Sequence, residues 1–297
     1  MQQQALSIVN DDLNLKREIQ LLSSTGIRNG LSRERISTWL KQFAKGPEYS
    51  LALFILRHLI YRTTGQIESA LAQALRKMAL TIAQNETDRE RLHWREILQG
   101  AANLKVYFGP PAHEHTRPGK SGELITRMLK QEFKINGAQI SYPDSVTTLQ
   151  EHERYLLVDD GVFTGDQLEG MLQQGLSALT RNPGKVGIVV AIAHEFAISR
   201  FQKSFPDIPI FFGEKMTAED SFSSQASTWI NENRWPHEIS PVDVYQSIVS
   251  AKGNFKEKQP LGFGSLGLMV AYEHGVPDDS LQLLWDESET WKPLFDR

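Results

Sequence analysis

Four short apolar runs, LKVYF (104–108), YLLVDD (155–160), KVGIVVAIA (185–193) and IPIFF (208–212), are rich in β-branched and aromatic residues. Between them lie amphipathic stretches, among them SGELITRMLKQEF (121–133), GDQLEGMLQQGLSALT (165–180) and HEFAISRFQKSF (194–205). Strands that alternate with helices need crossover connections, which make the sheet parallel and bury both of its faces. An α/β core over residues 104–215 is therefore predicted, with its ligand expected in the crevice at the carboxyl ends of the strands.

The flanking sequence has a different texture. In SRERISTWLKQFAK, Ile36, Trp39, Leu40 and Phe43 share one helical face, and Ser32 is in position to cap the start. SLALFILRHLIYR is apolar nearly all round, as a helix inside a bundle must be, and Ile67, Leu71, Leu75, Met78 and Ile82 form another helical stripe. Residues 1–103 thus read as an all-helical N-terminal domain, and residues 216–297 as a C-terminal extension. In that extension FSSQASTWINENRW and PVDVYQSIVSA read as helices, and PLGFGSLGLMVAYEHGVPDDS as loop.

Composition narrows the function classes. The chain has no cysteine, which excludes disulfides, thiolate metal sites and a cysteine nucleophile and fits a cytoplasmic protein. The first residues lack a basic stretch followed by an apolar one, so no secretory signal is expected. The longest apolar run, LALFIL, falls far short of the roughly 18 residues of a membrane span. Formal charge is +4 over 1–103, −1 over 104–215 and −7 over 216–297, an asymmetry that an ordinary solvated surface also accounts for.

The two acids at the end of YLLVDD pose the chemical question, because an unpaired charge inside a sheet costs several kcal/mol. Asp159 and Asp160 must therefore mark the point where the strand leaves the sheet for water, a cation or a hydroxyl-rich ligand. Adjacent carboxylates suit the vicinal diol of a ribose, and Mg²⁺ offsets their repulsion. Gly161, Val162, Phe163, Thr164 and Gly165 then turn into a helix whose free amides favour a phosphate. TGDQ also fits a capping box, with Thr164 as N-cap and Gln167 reaching back to it.

YLLVDDGVFTGDQL resembles the ribose-5-phosphate loop of type I phosphoribosyltransferases. The resemblance implies that Asp159 and Asp160 hold the ribose hydroxyls of phosphoribosyl pyrophosphate, while residues 161–165 take the 5′-phosphate. It also implies that FGPPAHEHTRPGKSGELI (108–125) grips the pyrophosphate through Lys120, Ser121 and Gly122, with Arg117 adding charge. Two positions depart from the family pattern: Phe163 stands where an acidic base or Thr is usual, and Gln167 where Ser or Thr is usual. His113, Glu114 and His115 have the spacing of metal ligands only in an extended loop, and a solvated loop is expected there. His194 and Glu195 follow a strand and belong to the same sheet mouth, either contacting the ligand or starting the next helix.

RISTWLKQF, the acid-pair strand and the closing GFGSLGLMVAYEHGVPDDSLQLLWDESETWKPLF resemble the PRTase-CE family of prokaryotic conflict systems. That resemblance implies an effector of anti-phage defence, in retrons accompanied by a winged-helix protein and a reverse transcriptase with its non-coding RNA. In such an effector His274 or Glu273 would supply the base missing at Phe163, making Asp159, Asp160 and His274 the catalytic candidates. The rival readings are a non-catalytic sensor of phosphoribosyl pyrophosphate or nucleotide, and a nucleotide-salvage transferase.

Overall fold

The computed structural model describes residues 2–83, 93–100, 104–112, 121–173, 179, 181–252, 255 and 258–296, and of residues 2–10 the backbone only. The chain divides into two compact units: residues 1–65 with 217–297, and residues 66–216.

The first unit contains α1 (Gln2–Ser24), α2 (Arg33–Leu40), α3 (Pro47–His58) and β1 (Ile60–Arg62). Ser32 caps α2, its hydroxyl accepting from the Arg35 amide at 3.1 Å. The stretch LALFIL lies in α3 and is wholly buried, as its all-round apolarity requires. Next to it, the β-branched and aromatic IYR leaves the helix as β1 and pairs in parallel with Val270–Tyr272 of the tail, Ile60 opposite Val270. One core joins these helices to the tail: the indoles of Trp39 and Trp291 both donate to the Leu283 carbonyl, at 3.3 and 3.1 Å. Residues 217–297 are thus not an appendage but half of this unit, which places His274 and Glu273 in it.

Arg28 is buried there with 5% of its surface exposed. Its guanidinium donates to the carbonyls of Leu56 (2.6 Å), Leu59 (3.0 Å) and Arg57 (3.3 Å), closing the carboxyl end of α3, where the helix dipole favours a cation. Burial first, and then the charge of Arg57, lower its pKa to about 10, so it remains charged at neutral pH.

The second unit holds most of α4 (Thr64–Ile82), then α5 (Trp94–Leu98), β2 (Lys105–Gly109), α6 (Ser121–Gln131), β3 (Glu153–Val162), α7 (Asp166–Gln173), β4 (Val186–His194), α8 (Glu195–Ser204) and β5 (Ile210–Met216). The strands form a parallel sheet in the order β2-β3-β4-β5, as the alternating pattern requires. All residues of β4 are buried, because it runs through the middle with both faces covered. Residues 66–82, which the sequence reading grouped with the N-terminal helices, pack on the sheet. A Cβ at Gly213 of β5 would stand 2.1 Å from the Ala70 carbonyl oxygen, so glycine is what lets α4 approach this closely.

The connection after β2 fixes where a ligand can sit. Ile140 forms a parallel bridge with Phe108 on the edge of β2 away from β3, and Ser141 donates its amide to the Phe108 carbonyl at 2.9 Å. The chain therefore steps outward from β2 and then returns to the other side as β3. Including this edge, the order is that of a flavodoxin-like sheet, whose switch point lies between β2 and β3.

Replacing Arg28 by Met leaves three carbonyls without their donor. We expect a loss of about 3 kcal/mol, read as a lowered midpoint in urea unfolding followed by tryptophan fluorescence.

Candidate functional site

The site forms where β2 stops at Gly109, opposite Leu157, and β3 runs on beyond it to Val162. Gly109, the last residue of β2, leaves no room for a side chain: a Cβ there would stand 1.9 Å from the Tyr155 hydroxyl oxygen and 2.2 Å from the Ser141 carbonyl oxygen. Beyond it, Pro110 and Pro111 pack against the first turn of α6, where a Cβ on Gly122 would come within 2.7 Å of the Pro110 side chain. Strand end, proline pair and helix start thus form one close-packed corner.

Asp159 and Asp160 lie at the carboxyl end of β3, Asp159 half-buried and Asp160 buried. The Ser121 hydroxyl donates to Asp159 Oδ1 at 2.8 Å, and the Asp160 amide donates to the same oxygen at 3.0 Å. Burial, followed by the neighbouring charge of Asp160, pushes the Asp159 carboxyl up to about 8, against the pull of those two hydrogen bonds. A carboxyl held in this way favours either a proton or a partner that compensates its charge. Ser121, expected to contact the pyrophosphate and to lie at a helix start, is the first residue of α6, and its hydroxyl joins that helix to the acid pair.

The turn after the acids is tightly held. Gly165 has φ +80°, and a Cβ on it would lie 2.8 Å from the Phe201 ring of α8, so both conformation and space call for glycine. Its carbonyl accepts the Glu169 amide at 2.9 Å, which makes Gly165 the residue that caps α7. The capping box expected from Thr164 and Gln167 therefore does not form; Gln167 Nε2 donates to the Pro111 carbonyl at 3.3 Å. Val162, Phe163, Thr164 and Gly165 are buried, whereas Gly161 and Asp166 are partly open and Gln167 is exposed. The first amides of α7 have no intrahelical acceptor and form the anion-favouring end of the turn.

Arg200 of α8, which the sequence reading did not single out, fastens this turn from the side. It donates to the Thr164 carbonyl at 3.3 Å and pairs with Asp166 and Glu169. It thereby offsets two negative charges at the helix start. Its only trace in the sequence is its place on the helix after β4, which tells nothing of the acids facing it.

His194 is the N-cap of α8, its Nδ1 accepting the Phe196 amide at 3.1 Å, and Glu195 pairs with Lys215 of β5 at 3.5 Å. The helix-start role foreseen for them is thus the one seen. In the first unit, Glu273 accepts from Asn29 Nδ2 (2.7 Å) and the Thr64 amide (2.8 Å), which hold its pKa below the usual range. These bonds make it an anchor, poorly suited to the role of base. His274 stacks on Tyr272, with ring centroids 5.1 Å apart. His113, Glu114, His115, Arg117 and Lys120 lie outside the described residues. Among the described residues, no three His, Asp or Glu side chains gather as a metal site.

A flavodoxin-like parallel sheet with an acid pair and a tight glycine turn at its switch point is the frame of a phosphoribosyltransferase-like α/β protein. The PRTase-CE family model matches residues 36–297, nearly the whole chain, and the protein belongs to that family. No curated protein matches it. No helix among the described residues is long and apolar enough to cross a membrane.

The raised Asp159 carboxyl sets the sign of a pH effect. A group whose folded pKa lies above its unfolded value contributes stability at low pH and loses it as pH rises, here between 3.8 and about 8. Asp159→Asn, a neutral stand-in for the protonated form, should therefore melt above the native protein at pH 8 in chelator, with the advantage shrinking toward pH 4. Thermal melts across that range check it, and an advantage independent of pH would contradict the burial argument.

Proposed function

We propose that this protein binds phosphoribosyl pyrophosphate, or a related nucleotide, at the end of β3 and transfers its phosphoribosyl group to an acceptor. The observation that carries this reading is the hydrogen bond from Ser121 to Asp159. Through it, the acid pair, the helix after the β2 loop and the glycine turn meet at one switch point. The two acids accept hydrogen bonds from the ribose hydroxyls, and residues 161–165 with the first turn of α7 take the 5′-phosphate. Lys120, Ser121 and Gly122 serve the pyrophosphate.

The acid pair fits a hard cation that takes most of its ligands from the substrate, since burial disfavours the bare charge on Asp159. When bound, Mg²⁺ would neutralise the pyrophosphate. In the transfer, the bond from C1′ to the pyrophosphate oxygen breaks with its electron pair on that oxygen. An acceptor lone pair closes on C1′, and the acceptor's proton leaves to water or to a base. The acids and the turn hold the ribose while positive charge develops at C1′.

A second reading draws on Phe163 and Gln167. The first is buried where an acidic base is usual, and the second is tied to the Pro111 carbonyl. Both features favour a sensor that binds the sugar phosphate without turning it over. Beyond the site, family membership supports, as part of the same proposal, an effector role in anti-phage defence. A retron's winged-helix protein and its reverse transcriptase–RNA complex would be its partners there, in the cytoplasm.

Incubated with phosphoribosyl pyrophosphate and Mg²⁺, the intact protein should release pyrophosphate. The Asp159→Asn/Asp160→Asn variant should lose this activity by at least about a hundredfold while staying folded. Tight binding without release would instead favour the sensor. For the effector role, induced expression should arrest growth, and the double variant should not; equal growth with both would remove that role.

A further inference from the structure

α8 begins at the carboxyl end of β4, one strand from the acid pair, and presents a large ring to solvent at that point. Phe196 is 49% exposed, whereas Ala197 and Phe201 form the buried face of the helix. Its direction follows from its neighbours. Four residues along an α-helix return to within about 40° of the same bearing, so Phe196 shares a stripe with Arg200. Arg200 points at the Thr164 carbonyl and the start of α7. Glu195, on the other flank, is drawn toward β5 by Lys215. The first turn is held by the His194 cap, so the ring lies on the exposed flank of α8, on the stripe whose next turn, at Arg200, reaches the Thr164 carbonyl.

We propose that Phe196 is a stacking platform for the planar heterocycle of a nucleotide whose ribose phosphate is held at residues 159–165, an inference that rests on the reading above. A ring left open beside a site for ribose and phosphate suits a base, because any nucleobase offers a π-face to an aromatic side chain. Stacking of this kind is tolerant of base identity, so Phe196 selects nucleotides over bare sugar phosphates without selecting among nucleotides.

Affinities for 5′-AMP and ribose 5-phosphate, measured by calorimetry on the full chain, separate these contributions. The intact protein should prefer 5′-AMP by about tenfold. Phe196→Ala should lower that ratio to within about twofold of unity while leaving ribose 5-phosphate binding unchanged, and Phe196→Trp should restore it. A ratio kept in Phe196→Ala, or an equal loss for both ligands, would overturn the platform and leave the sugar-phosphate site standing. Failure of the intact protein to bind ribose 5-phosphate would overturn the site itself and the platform with it.

Discussion

Two adjacent carboxylates cannot sit in a strand paired on both sides, and the arrangement of the second unit follows from that constraint: β2 stops opposite Leu157, and the acid pair beyond it is flanked in the sheet by β4. β4 is buried along its full length and β3 along most of its own, so the carboxyl end of β3 is where charge becomes tolerable. The switch between β2 and β3 supplies the opening. Because the chain leaves β2 outward to Ile140 before returning as β3, the connections on the two sides of the gap run apart rather than across it.

What surrounds the opening is close contact made possible by missing side chains. Gly109, Gly122 and Gly165 each sit where a Cβ would overlap a neighbour, and each lies on a different segment of the corner. Arg200 adds the electrostatic counterpart. The amides of α7 favour an anion, but Asp166 and Glu169 stand beside them, and an anion would meet their repulsion were they not paired. The turn is therefore both shaped and charge-balanced by α8, a helix with no place in the recognition motif itself.

Much of this was legible in the sequence and some of it was not, for a physical reason. Alternating apolar runs report local geometry, so β2 to β5 and the helices between them were placed within a few residues. The acid pair was legible because burial makes charge conspicuous. An amphipathic stripe, by contrast, says that a helix is covered and not what covers it. The stripe from Ile67 to Met78 reads the same whether it packs in a bundle or on a sheet, and only the approach of Ala70 to Gly213 decides. IYR and VAY gave no strand signal because each is three residues long and needs the other to form a ladder.

The same limit explains why side chains around the motif were harder to assign than the motif itself. Ser121 reads as a helix start or an anion ligand on its own, and becomes a link to Asp159 only when β2 and β3 are neighbours. Gln167 reads as half of a capping box until Gly165, by adopting positive φ, moves the helix start one residue on and frees the amide to reach Pro111. In both cases the residue type fixed which bonds were possible, and the strand order chose among them. The roles at this corner are therefore set by topology acting on a short list of donors and acceptors. The place of the acid pair could be read from sequence because burial leaves adjacent charges few positions along an apolar strand.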